Sequence, residues 1–389
     1  MKKTLYHNWL FLFGFIYYLV LPLIVEQYNY LSDMPGMHLF YINFPNQEQM
    51  NNYYLLSSLF FISFFSGSYF SLLFKKKTTI AAQQYQVNRR KHFNSWILYL
   101  LVIFNQYLIV SNKDILFSGY TTGYHVDTLG QLASLNCLYV FLYLYLKKSS
   151  FRNKKNILFL KLLLLENSVI LLGFGSRMFV LIPLLSFVVY LLDNKIIKTK
   201  KIIIPLILSI LIFLIVGVIR QGSSSLNLDK LIFIAIAEPL FTWISAGSFI
   251  QMNQTINIID IPYNFLGTFL NFVPSFIFPN KADFIKSIPY AYEAPLGAGS
   301  IVVMLYGNFG LLLAPVVAFI GGFLLTVIRY TKSYFFRIFY YCVCGLIPFI
   351  LFRDMQSFNK LLFTSFLLYP LIILNLNFGS AKILKKVNL

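Results

Sequence analysis

Three arginines stand where arginine is least expected. Arg177 closes Gly173-Phe174-Gly175-Ser176-Arg177, Arg220 precedes Gln221-Gly222, and Arg353 precedes Asp354. Each lies at the end of a long apolar run. The run after Arg177, Met178 to Leu192, carries no charge. As a helix it covers only about 22 Å of a roughly 30 Å hydrocarbon core, so Arg177 is held at or just below the lipid surface. Eight of the 32 Lys and Arg are arginine, yet these three breaks in apolar sequence are all arginine. Arginine stays charged and grips phosphate with a planar two-point fork, where lysine is a point charge. Three such groups at one membrane depth would make a clamp for a pyrophosphate, each charge-assisted contact contributing about 1.5–3 kcal/mol. The plainer alternative is three separate contacts with lipid headgroups.

Few groups are available for proton transfer. Glu293, in Tyr290-Ala291-Tyr292-Glu293-Ala294-Pro295, is placed to act as general base for a hydroxyl. Asp354 is a second candidate, although orienting Arg353 is the simpler role. His125 lies in a Gly/Tyr loop and is a third, with a surface histidine as the simpler reading. Glu166 falls mid-helix, five residues after Lys161, and reads as a buried pair or a hydrogen-bonded acid. Glu238 precedes Pro239 and either satisfies backbone freed by the proline or lines a cavity. No HExxH, P-loop, GxSxG or DxD pattern occurs, and the acids are scattered. No metal site and no cofactor are expected.

The elements that must position these residues are membrane spans. The chain is 58% hydrophobic, 19% aromatic and 12% charged, with mean hydropathy +0.71. Soluble domains carry about 25% charged residues. The expected fold is an all-α polytopic membrane protein, with residues 1–389 forming one integral membrane domain. Spans are expected near 9–25, 53–74, 96–110, 129–146, 157–172, 178–192, 202–219, 301–329, 334–352 and 358–376. Residues 221–300 form a long extracytoplasmic segment before the last three helices. It is partly membrane-embedded: 231–250 is apolar but broken at Glu238-Pro239, and the proline-rich 262–279 suits an interfacial or re-entrant piece. The total is about ten to twelve spans. Most Lys and Arg fall in short loops on one side, which places both termini in the cytoplasm and makes the net charge of +19 a membrane-orientation signal, with no nucleic acid implied. Cys137, Cys342 and Cys344 lie in apolar runs without metal-ligand spacing and read as packing residues.

The order of several short motifs resembles the bacterial O-antigen polymerase family, the Wzy-type oligosaccharide repeat-unit polymerases. The resembling pieces are Gly175-Ser176-Arg177, Val218-Ile219-Arg220-Gln221-Gly222, and Phe265-Leu266-Gly267-Thr268-Phe269 with Val273-Pro274 and Phe278-Pro279. Gly297-Ala298-Gly299-Ser300, Tyr306-Gly307-Asn308-Phe309-Gly310 and Phe352-Arg353-Asp354 follow. Family members often carry an acid ahead of Asn-Phe-Gly. Here Met304 and Leu305 stand there, which leaves Glu293 as the substitute. The resemblance implies a GT-C-like helical membrane fold in the bacterial cytoplasmic (inner) membrane. It implies a metal-independent glycosyltransferase that joins undecaprenyl-pyrophosphate-linked oligosaccharides on the outer face, in the synthesis of O-antigen, capsule or another surface polysaccharide. Arg177, Arg220 and Arg353 would stabilise the departing pyrophosphate, and membrane lipids, a chain-length regulator and a flippase would be partners. An O-antigen ligase uses the same donor and is the closest alternative. A lipid-linked oligosaccharide flippase would carry cations along helix centres, which here hold only Lys161, and a transporter would show inverted repeats, which are not apparent.

Overall fold

A computed structural model of the protein describes residues 4–29, 31–74, 95–113, 126–148, 154–174, 176–198, 201, 214–215, 217–218, 228–252, 255–270, 273, 277–280 and 288–376. Every longer element among them is helical. In chain order these are α1 (Tyr6–Gln27), α2 (Met37–Ile42), α3 (Gln47–Leu73), α4 (Ser95–Val110), α5 (Val126–Lys148), α6 (Lys154–Gly173), α7 (Arg177–Asp193), α8 (Leu228–Gln251), α9 (Tyr263–Leu270), α10 (Ile301–Tyr330), α11 (Tyr334–Leu351) and α12 (Met355–Leu376). Seven of the described helices are long and apolar enough to cross a membrane: α1, α3, α6, α8, α10, α11 and α12. Helices α4, α5 and α7 coincide with three further expected spans, and the span expected at 202–219 falls almost wholly outside the described residues. The protein is a polytopic helical membrane protein. Two compact units divide the chain, Met1–Lys75 with Ser223–Thr331 and Leu346–Lys360, and Lys76–Gly222 with Lys332–Gly345 and Leu361–Leu389.

In the first unit, α3 begins at a capping box. The Asn46 side chain accepts from the Gln49 N–H at 2.9 Å and Gln49 accepts from the Asn46 N–H at 3.1 Å, so two orphan donors are satisfied reciprocally. Helices α3 and α10 run in close contact. A Cβ on Gly67 would lie 1.9 Å from the Phe319 carbonyl oxygen, and one on Gly322 2.1 Å from that of Phe64. Small residues let membrane helices approach this closely, where packing rather than water expulsion drives association. Phe11 of α1 stacks on Phe64 of α3, ring centroids 3.8 Å apart, and also meets Phe352. At the far end of these helices Arg329 is buried, donates to the Thr4 carbonyl at 3.3 Å and lies over the Tyr6 ring. Beside it His7 Nε2 hydrogen-bonds with the Ser68 and Thr326 hydroxyls.

The expected break at Glu238-Pro239 does not occur. Helix α8 continues through Pro239 to Gln251. A proline removes the N–H that would reach the carbonyl four residues back, here Ala235. The Tyr17 hydroxyl of α1 donates to that carbonyl at 2.5 Å, so the lost helical bond is replaced from a neighbouring helix. Glu238 is therefore not needed for the backbone.

Helix α10 does break. Gly310 has φ 73° and ψ −178°, in a region open to glycine. The backbone groups freed there pair with residues 257–260: Leu311 N–H to Asn257 O at 2.9 Å, Leu312 N–H to Ile258 O at 3.0 Å, and Asp260 N–H to Phe309 O at 3.4 Å. Irregular backbone in a membrane protein survives where protein satisfies it in this way. Asn308 adds a side-chain link. It accepts from the Phe265 N–H at 3.0 Å, near the start of α9, and donates to the Met304 carbonyl. Among its described residues the proline-rich stretch after α8 thus contributes a short helix, α9, anchored to the α10 break.

The second unit uses the same device. Pro183 lies inside α7 and leaves the Phe179 carbonyl without its helical donor. Asn136 of α5 donates to it at 3.2 Å. The Glu166 carboxylate on α6 accepts from Gln106 at 2.6 Å and Asn105 at 3.4 Å on α4, which makes it a hydrogen-bonded acid. Lys161 is exposed. At one end of the unit Tyr341 donates to Asp193, Arg337 lies 3.6 Å from the same carboxylate, and the Lys147 ammonium lies over the rings of Tyr143, Phe187 and Tyr190. The three cysteines are buried, as packing residues are.

Candidate functional site

The groups with chemistry to offer in the first unit are organised by one face of α8. Glu238, Ser245 and Ser248 lie seven and ten residues apart, close to two and three helical turns, so they share a stripe. Each holds a different piece of chain. Glu238 Oε1 forms an ion pair with Arg353 Nε, at the junction between α11 and α12. The Ser245 hydroxyl accepts from the Ser300 N–H at 3.0 Å, which fixes the start of α10. The Ser248 hydroxyl accepts from the Glu293 N–H at 2.8 Å.

The Glu238–Arg353 pair is partly open. Its two side chains are 29% and 25% exposed, while the contacting atoms themselves, Glu238 Oε1 and Arg353 Nε, are buried. The floor is apolar and rigid. Tyr18 is fully buried, its ring parallel to Phe352 with centroids 6.1 Å apart, and Gly14 allows Phe352 to press onto α1. Tyr18 lies in a π-helical turn, Ile16–Val20, and Arg353 follows another, Ile347–Leu351. Such turns re-aim side chains and recur at functional sites. Gly299 lies against Met304, with the Arg353 carbonyl 3.9 Å from where its Cβ would be, so the 288–300 loop passes beside the arginine.

Asp354 turns to the following helix. It accepts from the Ser357 N–H at 3.0 Å and from the Ser357 hydroxyl at 2.5 Å, as a helix N-cap does. Burial, and then the negative charge of Asp354, push the Tyr292 hydroxyl above its ordinary value. Glu293 next to it is exposed, and one carboxylate oxygen accepts from the Asn43 amide at 3.0 Å. Tyr290 is tied further out, donating to Asp260 at 2.9 Å and accepting from the Asn257 N–H. The loop carrying Tyr292 and Glu293 is thus pinned at both ends.

The structure therefore brings Arg353, Asp354 and Glu293 into one unit. Arg177 is the first residue of α7 in the other unit, where the Ser176 N–H donates to the Leu171 carbonyl and closes the turn before it. Arg220 and His125 lie outside the described residues. Three participants are not assigned by the sequence: Glu238 as the counter-ion of Arg353, Asn43 as the partner of Glu293, and the serine stripe of α8. The seven- and ten-residue spacing is the available signal for the stripe, and nothing in the sequence singles out Asn43. Among the described residues no three His, Cys, Asp or Glu gather where they could hold a metal ion. The first unit thus holds a guanidinium paired with the Glu238 carboxylate and, on a separate loop, the exposed carboxylate of Glu293.

The model of one protein family, O-antigen polysaccharide polymerase Wzy, matches residues 2–386 of the chain. No curated protein and no solved structure matches it.

Proposed function

The chain belongs to the O-antigen polysaccharide polymerase family, and from that premise we propose that it joins undecaprenyl-pyrophosphate-linked oligosaccharide repeat units on the outer face of the cytoplasmic membrane. A hydroxyl of the incoming unit attacks the anomeric carbon of the growing chain. The new C–O bond forms as the bond from that carbon to the pyrophosphate oxygen breaks, and undecaprenyl pyrophosphate leaves with the electron pair. Arg353 meets the charge that develops on the leaving group. Glu293 takes the hydroxyl proton, being exposed and engaged through one carboxylate oxygen by Asn43. From Glu238 to Ser248, the anchors of Arg353 and of the Glu293 backbone, α8 rises about 15 Å. Arg177 and Arg220 are assigned the same anion-binding role on charge and helix position.

The observation that carries this reading is Arg353: a guanidinium at the end of an apolar helix, part-open, and met at its Nε by a carboxylate. The test is polysaccharide length on a gel for Arg353→Lys, Arg177→Lys and Arg220→Lys, each inserted at wild-type level. Collapse from long chains to single lipid-linked units is the expected result. Long chains persisting in all three variants would remove the pyrophosphate role.

A further inference from the structure

Where α9 packs on the first turn of α12, the contact includes side-chain amides. The Gln356 amide donates to Asn264 Oδ1 at 2.8 Å, and Asn264 is buried. Asn359 lies three positions after Gln356, on the same side of the helix, and is 7% exposed. Its Nδ2 is buried with no hydrogen-bond partner. The Asn264 amino group and Gln356 Oε1 likewise carry no hydrogen bond among the described residues. We propose that Asn264, Gln356 and Asn359 form a saccharide subsite, which reads neutral hydroxyl and acetamido groups of the repeat unit. The inference rests on the lipid-linked oligosaccharide substrate assigned above and deepens it: these three amides decide which sugars are accepted.

Three observations support it. First, a tie between helices explains only part of the cluster. The Gln356–Asn264 bond joins α9 to α12, but a tie gives no reason to bury Asn359. A buried amide with an unmade bond is destabilising, and an apolar side chain there would pack better. A hydrogen-bonding ligand is the partner that accounts for it. Second, the groups suit a neutral ligand. Asn264 offers N–H donors beside the Gln356 carbonyl acceptor, and each hydroxyl or acetamido group of a sugar both donates and accepts. No Asp, Glu, Lys or Arg lies in α9. Third, the cluster is rigid and adjoins the groups assigned to chemistry. Gln356 and Asn359 follow Arg353 by three and six residues. The loop that carries Glu293 passes the Arg353 carbonyl at Gly299. Helix α9 is fixed by the Asn308 bond to the Phe265 N–H and by the Phe265 ring against Phe309, centroids 5.1 Å apart. The first turn of α12 is flanked by π-helical segments, Ile347–Leu351 and Leu361–Leu368, a feature that recurs at functional sites.

Asn359→Leu tests the subsite, because it removes the unpartnered donor and fills its volume. In nanodiscs holding the full chain, two quantities are measured. One is binding of the labelled repeat-unit oligosaccharide, freed of lipid and pyrophosphate by mild acid. The other is KM for the intact lipid-linked repeat unit. The variant should bind the free oligosaccharide about three- to tenfold more weakly and raise KM by a similar factor, the scale of one neutral hydrogen bond. Its unfolding midpoint in detergent should hold or rise. Gln356→Met should weaken both quantities at least as much, and it decides the matter if the Leu variant fails to insert. A structural tie alone gives a different pattern: Asn359→Leu changes neither quantity, and Gln356→Met lowers stability while affinity stays at the wild-type value. Wild-type oligosaccharide affinity and wild-type KM in the inserted variants overturn the inference. If instead the wild-type protein neither binds the oligosaccharide nor transfers the lipid-linked unit, the underlying substrate assignment fails and the subsite fails with it.

Discussion

Removing the Tyr17 hydroxyl tests how this protein tolerates proline inside a spanning helix. Pro239 cannot donate to the Ala235 carbonyl, and the Tyr17 hydroxyl does so at 2.5 Å. Tyr17→Phe keeps the ring, which packs against Phe13 and Phe349, and removes only the donor. A buried carbonyl left without a partner costs about 1–3 kcal/mol. Hydrogen bonds between membrane helices measure nearer 0.6 kcal/mol on average, with a maximum of about 1.7. Because the carbonyl has no helical donor to fall back on, the upper part of that range applies, about 1–2 kcal/mol. The assay is reversible unfolding in mixed micelles by titration with denaturing detergent, run as a double-mutant cycle with Pro239→Ala. Alanine restores the N–H at 239, so the Ala235 carbonyl regains its helical donor. Tyr17→Phe should then cost only a few tenths of a kcal/mol, leaving a coupling energy of about 1 kcal/mol between two residues far apart in sequence. If Tyr17→Phe costs the same in both backgrounds, the hydroxyl is not standing in for the missing N–H, and the continuity of α8 needs another cause.

Four further outcomes are expected. Arg353→Lys, inserted normally, should lower the rate of chain extension about 100- to 1000-fold, as removal of one donor to a developing anion commonly does; single-turnover transfer of labelled donor measures it. Gly67→Val and Gly322→Val, whose added Cβ atoms would lie about 2 Å from backbone oxygens, should each abolish the α3–α10 contact and with it stable insertion, read by protease resistance of the membrane-embedded chain. Gly310→Ala places a methyl group on a residue with φ 73° and within 2.6 Å of the Asn257 carbonyl oxygen, so a loss of more than about 2 kcal/mol is expected in the same detergent titration. Glu293→Gln should suppress extension at every pH while leaving donor binding intact, read by single-turnover transfer and donor binding; a variant that still extends would place the general base at another residue.

Span positions are legible because they depend on composition alone. Length and hydropathy mark α1, α3, α6, α10, α11 and α12 within a few residues of where the apolar runs lie. What composition does not contain is the identity of the atom that replaces a missing hydrogen bond. On local chemistry Pro239 should interrupt its helix. The helix survives because of Tyr17, whose own sequence, Ile16-Tyr17-Tyr18-Leu19, looks like any aromatic stretch of a lipid-facing span. Gly310 is the mirror case. Nothing in the apolar run from 301 to 330 foretells a break, yet the family resemblance picks out Tyr306-Gly307-Asn308-Phe309-Gly310 as a motif. The fold supplies its reason: Gly310 turns the backbone, Asn308 holds α9, and Gly307 lies against Ile288 with a Cβ gap of 2.8 Å.

The same limit governs the site. Asp354 is the natural partner for Arg353 in the sequence because it is the next residue. Consecutive side chains at a helix end point to different sides, however, and neighbours across a helix surface are three or four positions apart. Asp354 is accordingly engaged by Ser357, three residues on, and the acid paired with Arg353 comes from far upstream on α8. An acid in an apolar helix is costly unless a cation or a polar cavity meets it. The same holds for an arginine in an apolar run, so Glu238 and Arg353 each call for a partner on sequence grounds alone. Sequence states that both demands exist; only the fold states that they meet each other. Two charges that are each expensive in an apolar helix satisfy one another here, through Glu238 Oε1 and Arg353 Nε, and so fix the α11–α12 junction against α8.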